Sequence, residues 1–231
     1  HTEPPRSLSF SPDDTLLVSG GPDRALKFWG TRAGVSASDV LKGHTDCVYS
    51  VAFNPSGTLV ASASFDGTVM LWDPATNLHV GTLRGHDGYV RSVAFSPDGR
   101  YAVTGGDDQS VRIWDVNERN QVRLLLGHTD QVFSVAWSPD GTTIASASFD
   151  GSVRLWDART GAVLRELGPA AGSVECVAFS PDGTLVAAGG ESRTVRFWRV
   201  DSGELVTELE GHSDWVNSLA FSPSGSRLAS V

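Results

Sequence analysis

Two residue types recur through this 231-residue chain in one locked phase. His1, His44, His86, His128 and His212 fall on slots 42 or 43 residues apart, and Ala170 fills the one slot left over. Trp29, Trp72, Trp114, Trp156 and Trp198 keep the same spacing, 28 residues behind the first set. A period of that length, held by two residue types, means one supersecondary unit copied in tandem, each copy too small to bury its apolar surface without its neighbours. The copies begin near residues 1, 44, 86, 128, 170 and 212, and the unbroken beat reads residues 1–231 as one domain.

Residues 44–85 show what one copy builds. Val48 to Phe53 is β-rich and largely alternating, and the turn signal Asn54-Pro55-Ser56-Gly57 ends it. Thr58 to Ala63 reads as a second strand, and Phe65-Asp66-Gly67 as a hairpin turn, because Asp-Gly tolerates positive φ. Thr68 to Trp72 alternates as a third strand, Asp73 to Asn77 breaks it, and Leu78 to Leu83 makes a fourth. The unit is four short antiparallel strands without a helix. Such sheets stacked radially give an all-β propeller.

The same residues carry a family likeness. Gly-His pairs stand at 43–44, 85–86, 127–128 and 211–212, Trp-Asp pairs close the third strands at 72–73, 114–115 and 156–157, and Ser-Pro pairs follow the first strands at 11–12, 96–97, 138–139, 180–181 and 222–223. Over essentially all of its length the chain resembles the WD-repeat β-propeller family. Counting gives six first and six second strands but five third and five fourth, so five full repeats precede a partial sixth that stops at Val231. The resemblance implies closure at seven blades, which would take about 63 further residues on this period. Missing sequence, or closure by another chain, is therefore expected. The start at His1, with Met70 the single Met, fits a piece of something longer or a processed product.

Within four repeats a His is followed by a Ser or Thr 18 residues on, an Asp four later and a Trp six after that: His1/Ser19/Asp23/Trp29, His44/Ser62/Asp66/Trp72, His86/Thr104/Asp108/Trp114 and His128/Ser146/Asp150/Trp156. Ser, His and Asp invite a catalytic-triad reading, yet a hydrolase gains nothing from four copies and needs one activated Ser with an oxyanion hole. A buried chain of hydrogen bonds, Asp to His, His to Ser or Thr, and hydroxyl to indole, accounts for all four residues, and the resemblance implies the same network. The fifth repeat puts Ala170, Ala188 and Ser192 in these slots and keeps only Trp198, which predicts that its blade is the least stable of the full ones.

No other chemistry is visible. His79 has no metal-ligand spacing around it, Gly105-Gly106 and Gly189-Gly190 match no phosphate loop, and no cofactor is expected. Trp137 takes the slot that Phe53, Phe95, Phe179 and Phe221 fill elsewhere and reads as core. A net charge of −9 weighs against nucleic acid or an anionic membrane as partner. No apolar run approaches the roughly 20 residues of a membrane span, and no signal peptide is expected. Cys47 and Cys176 do not recur with the repeat, so they read as free thiols in a reducing, cytoplasmic setting, with the nucleus left open.

Slots held constant between copies build a scaffold, and slots that vary are free for recognition. Three vary sharply. Three residues after the His slot stand Pro4, Cys47, Tyr89, Gln131, Ser173 and Trp215; five after it, Arg6, Tyr49, Arg91, Phe133, Glu175 and Asn217; before the hairpin Asp slot, Pro22, Phe65, Asp107, Phe149 and Glu191. By resemblance these loops gather on the family's partner-binding face. Aromatic and Arg residues dominate binding hot spots, so Arg6, Tyr49, Phe65, Tyr89, Arg91, Asp107, Phe133, Phe149 and Trp215 are the expected contacts for a peptide or loop, an Arg meeting its carboxylate or phosphate. Phe65 and Phe149 could instead merely cap their blades. The favoured reading is a non-catalytic interaction scaffold for protein or peptide partners. Its alternative is a sensor or substrate-recruiting domain of a larger protein, of nucleotide-switch or ligase-adaptor type. Catalysis in a propeller channel would need a non-repeating polar cluster, which the chain lacks.

Overall fold

The computed structural model describes residues 1–31, 40–168 and 172–231, and among them every regular element is a strand. The first sheet is β1 (Ser7–Phe10), β2 (Leu16–Gly20), β3 (Ala25–Gly30) and β4 (Val40–Lys42); the second is β5 (Val48–Phe53), β6 (Val60–Ser64), β7 (Thr68–Asp73) and β8 (Leu78–Arg84). The third holds β9 (Val90–Phe95), β10 (Tyr101–Gly106), β11 (Val111–Asp115) and β12 (Asn120–Leu125). The fourth holds β13 (Val132–Trp137), β14 (Thr143–Ser148), β15 (Val153–Asp157) and β16 (Val163–Leu167), and the fifth β17 (Val174–Phe179), β18 (Leu185–Gly190), β19 (Val195–Arg199) and β20 (Leu205–Leu209). β21 (Leu219–Phe221) and β22 (Leu228–Ser230) pair as a two-stranded sheet. Five antiparallel meanders and a partial sixth are the all-β repeat architecture expected of a propeller.

Strand limits differ slightly from the sequence reading, for a local reason. The second strand of repeat two begins at Val60 instead of Thr58, because the Asn54 side chain holds the turn open two residues longer, its Oδ1 accepting from Leu59 N–H at 3.0 Å. In the other repeats Ser11, Ser96, Ser138 and Ser180 do the same through a hydroxyl that accepts from the residue five later. The Ser of each Ser-Pro pair is therefore a turn clamp.

The chain divides into two compact units, residues 1–108 with 112–122, and residues 109–111 with 123–231. In the first unit β1 lies beside β5 and β5 beside β9; in the second β13 lies beside β17 and β17 beside β21. Neighbouring sheets thus meet along their first strands. Val51 and Phe53 amides reach Ser7 and Ser9 hydroxyls at 3.1 and 3.2 Å, Val93 reaches Ser50 at 3.3 Å, and Val177 reaches Ser134 at 3.3 Å. First strands are sheet edges, and these bonds satisfy amides that edges leave bare.

The apolar core lies between the sheets. Leu26 and Phe28 pack with Val48, Val51 and Val60; Val69, Leu71 and Leu83 with Val90, Val93 and Phe95. In the second unit Val153, Leu155 and Leu167 pack with Val174, Val177 and Phe179, and Val195 and Phe197 with Val216. Each such buried side chain contributes about 1.5–3 kcal/mol, which is the force that stacks one repeat on the next.

Candidate partner-binding rim

The repeated polar residues come together inside each sheet. In the second, His44 Nδ1 lies 2.8 Å from Asp66, His44 Nε2 lies 2.7 Å from the Ser62 hydroxyl, and Trp72 Nε1 donates to the same hydroxyl at 2.8 Å. A carboxylate only accepts, so Nδ1 carries the imidazole proton and Nε2 accepts from Ser62. The same three contacts run through His1, Asp23, Ser19 and Trp29 at 2.7, 2.7 and 2.8 Å, through His86, Asp108, Thr104 and Trp114 at 2.9, 2.7 and 2.9 Å, and through His128, Asp150, Ser146 and Trp156 at 2.8, 2.7 and 2.7 Å. The likeness to a hydrolytic triad is real in its bonds. It ends at the hydroxyls: Ser62, Thr104 and Ser146 are fully buried, and each oxygen is already taken by an indole N–H. No substrate carbonyl can approach them.

Each Asp also ties the loop leading into its sheet, accepting from the backbone N–H of Thr2, Thr45, Asp87 or Thr129 at 3.0–3.2 Å. Burial raises the Asp66 carboxyl, but hydrogen bonds from His44, Thr68 and Thr45 outweigh it and hold the group well below the usual range. Asp150 is likewise raised by burial and lowered further by Ser152, Thr129 and His128, to about 2. Burial lowers His128 against the opposing pull of Asp150. The lock of the fourth sheet at neutral pH is a neutral imidazole on an ionised carboxylate.

In three of the four Gly-His pairs the Gly has a packing reason. A Cβ would sit 3.0 Å from the Trp72 ring at Gly43, 3.1 Å from Trp114 at Gly85 and 3.3 Å from Trp156 at Gly127, whereas nothing stands within 4 Å at Gly211. His212 still reaches Ser230 at 2.7 Å. In the fifth repeat Ala170 lies outside the described residues, and Ala188 presents a methyl where a hydroxyl stands elsewhere. There Glu191 takes over the loop tie, accepting from Ser173 N–H at 3.1 Å, a substitute that the sequence reading missed.

The variable slots are brought to the same end of the sheets, because in a four-stranded meander the loop before strand one and the hairpin between strands two and three share an end. The slot five residues after the His is a β-bulge. Val48 pairs with Ser64 and Ser50 with Ala63, so Tyr49 is left over, and Arg91, Phe133 and Glu175 are skipped in the same way. A bulge turns its side chain out of the ladder, and bulges are common beside functional sites.

In the first unit Tyr49 stacks on Phe65 with centroids 5.0 Å apart and planes at 19°, and Phe65 stacks on Tyr89 at 4.3 Å and 10°. The Arg91 guanidinium lies 5.7 Å from the Tyr49 centroid and 5.3 Å from that of Phe65. Asp107 holds it with two contacts, Nε to Oδ1 and Nη2 to Oδ2, the latter at 3.1 Å. Arg91 is thus engaged by the chain's own carboxylate. Arg6 is exposed and not part of the stack. A cleft of about 290 Å³ opens beside the Phe65 and Tyr89 rings, lined also by Asp66, Arg84 and His86 among others. In the second unit Phe133 and Phe149 lie 5.9 Å apart, while Phe149 and Trp215 are 44% and 42% exposed, as Tyr89 is at 42%.

Elsewhere the described residues hold no cluster of three His, Cys, Asp or Glu arranged for a metal. Cys47 and Cys176 are free and buried; burial raises both thiols, Cys176 to about 12. Trp137 is only half-buried, and its indole N–H is buried without a partner among the described residues.

A family description of the WD domain, G-beta repeat, matches residues 1–30, 36–73, 77–115, 119–157, 161–199 and 203–231. The chain belongs to the WD-repeat family. It is 36% identical over 74 residues to human WD repeat and SOCS box-containing protein 1, a stretch of 32% of this chain and 18% of that protein. Striatin-3 from Homo sapiens is 33% identical over 88 residues, 34% of this chain and 11% of that one, and the zebrafish (Danio rerio) THO complex subunit 6 homolog is 32% identical over 71 residues, 31% and 22% of the two chains. The matches span about a fifth or less of the first of these relatives' length. WD-repeat proteins are generally non-catalytic scaffolds for protein interactions.

Proposed function

We propose that this chain is a non-catalytic interaction scaffold that holds a peptide or loop of a partner protein against the rim formed by the loops before each first strand and by the hairpin turns. The observation that carries this reading is the ring stack Tyr49, Phe65 and Tyr89, assembled from two neighbouring repeats at slots that the scaffold leaves free. A preformed stack lets a partner side chain dock with little loss of conformational freedom. The exposed rings of Tyr89, Phe149 and Trp215 are the anchors, and the half-buried Phe65 positions Tyr89. The setting is a reducing intracellular compartment, consistent with two unpaired buried thiols.

The likeness to WD repeat and SOCS box-containing protein 1 favours a second reading, in which the same rim recruits a substrate within a larger protein of adaptor type. Both readings use the same loops. Replacing Tyr89 with Ala in the first unit, or Phe133 and Trp215 with Ala in the second, is expected to leave the circular dichroism spectrum intact and to lower partner capture by at least about tenfold, the scale of a hot-spot truncation. Unchanged capture by folded variants of both units would refute the rim.

A further inference from the structure

The net charge of this molecule is not spread over it. The loops from each His slot to five residues on, together with the three hairpin residues around each Asp slot, contain twelve acids and four bases, Arg6, Arg24, Arg91 and Arg193. They therefore hold eight of the chain's nine net negative charges, and everything else is nearly balanced. The imbalance belongs to each unit separately. Seven acids face three bases in the rim loops of the first unit, and five face one in those of the second.

The charges are present at neutral pH. The lock residues Asp66 and Asp150 are held ionised by their hydrogen bonds, and in the fourth sheet burial keeps the partner His128 neutral, so that lock contributes a full negative charge beneath the rim. Of the bases, Arg91 is already engaged by Asp107. Glu3, Asp46 and Asp87 are exposed.

The exposed rings stand within this field. Asp87 lies two residues before Tyr89, and Asp214 precedes Trp215 and accepts from its amide at 2.8 Å, whereas Asp150, next to Phe149, is spent on the His128 lock and adds charge only from below. A π face with a carboxylate beside it is a site for a guanidinium, which combines cation–π attraction with a charged hydrogen bond. The chain displays that geometry internally, with Arg91 against Tyr49 and Phe65 and clamped by Asp107. Arg84 is a base at the cleft, and Asp66, also lining it, offsets that charge.

We infer that the rim takes an arginine-rich segment of its partner, its guanidinium groups seated on the exposed rings and its charge matched by the surrounding carboxylates. This rests on the rim being the binding face and names the chemistry that it selects. An acidic or phosphorylated segment would meet the same field as repulsion.

The test uses the whole chain and three fluorescent peptides of equal length, one with Arg at alternate positions among Gly and Ala, one with citrulline for each Arg, and one with Glu. Anisotropy is read at low and high salt. The Arg peptide is expected to bind at least about tenfold tighter than the other two and to weaken several-fold with salt, as screened charge requires. Glu3→Gln with Asp46→Asn and Asp87→Asn is expected to weaken it about tenfold, and Tyr89→Ala comparably, whereas Glu118→Gln with Asp201→Asn and Glu204→Gln, the same charge removed from turns at the other end of the sheets, changes it less than about twofold. Preference for the Glu or citrulline peptide, still lost in Tyr89→Ala, overturns the basic partner and leaves the rim standing. Arg-peptide binding that ignores both the rim acids and Tyr89 overturns the inference and removes support for the rim as well. Binding of none of the three peptides overturns the inference alone.

Discussion

In each of the first four repeats one hydroxyl stands between an imidazole and an indole, and it satisfies both. In the third sheet that hydroxyl belongs to Thr104, fully buried, 2.7 Å from His86 and 2.9 Å from Trp114. Thr104→Val keeps the shape and strands both partners in a dry interior, so the urea unfolding free energy should fall by about 1–3 kcal/mol, while Thr104→Ser, which keeps the oxygen, should cost less than about 1 kcal/mol. Equal losses in the two variants would mean that packing, not the bond, matters there. The same locks set a pH dependence. Asp150 titrates near 2 in the fold against an ordinary 3.8, so the unfolded chain takes up the proton first and the stability that this group supplies is full above about pH 4 and lost as pH falls toward 2. His128 is lowered from 6.5, so below that pH the unfolded chain again binds the proton first, and the sign is the same. Thermal midpoints should be level above pH 7, lower at pH 5 and fall steeply below 4. A midpoint that rises on acidification from 7 to 5 would contradict the neutral buried imidazole. The spacing 18, 4 and 6 made this network legible in the sequence, because strands pair at fixed register. It could not reveal Glu191, whose tie to Ser173 replaces the missing Asp from a slot one residue earlier.

Among the sheets the fifth differs in kind. Its strands pair in register like the others, yet Ala188 and Trp198 share only an apolar contact region where the other sheets have a bonded hydroxyl. Amides of β18 and β19 should therefore exchange faster than those of β6 and β7, because local opening there breaks fewer cooperative bonds. Equal or greater protection in the fifth sheet would remove the network as a source of stability. The period and the turn residues made the strands themselves readable to within two residues. The bulge in the first strands was not readable. Nothing in the run Val48 to Phe53 marks Tyr49 as the skipped residue, since the alternation continues through it and only pairing with Ser64 and Ala63 exposes the extra position. That bulge aims Tyr49, Arg91 and Phe133 at the rim, so the slots were visible as variable while their direction was not.

At the scale of the molecule, the rim loops carry eight of the nine net negative charges together with the exposed rings of Tyr89, Phe149 and Trp215, and the Arg-peptide titration belongs to this scale because a field is summed over many side chains. The 42-residue beat, the turn chemistry and the strand alternation determined that this chain is a WD-repeat protein of four-stranded antiparallel units, since those signals act through neighbours along the chain. Only the tertiary structure decided that Phe65 slides between Tyr49 of its own repeat and Tyr89 of the next, and that Asp107 claims Arg91. These contacts join side chains 16 to 24 residues apart, and three of the five residues come from a different repeat from Phe65 and Tyr49. Their meeting depends on how one sheet stacks on the next, which apolar burial drives and no local pattern encodes.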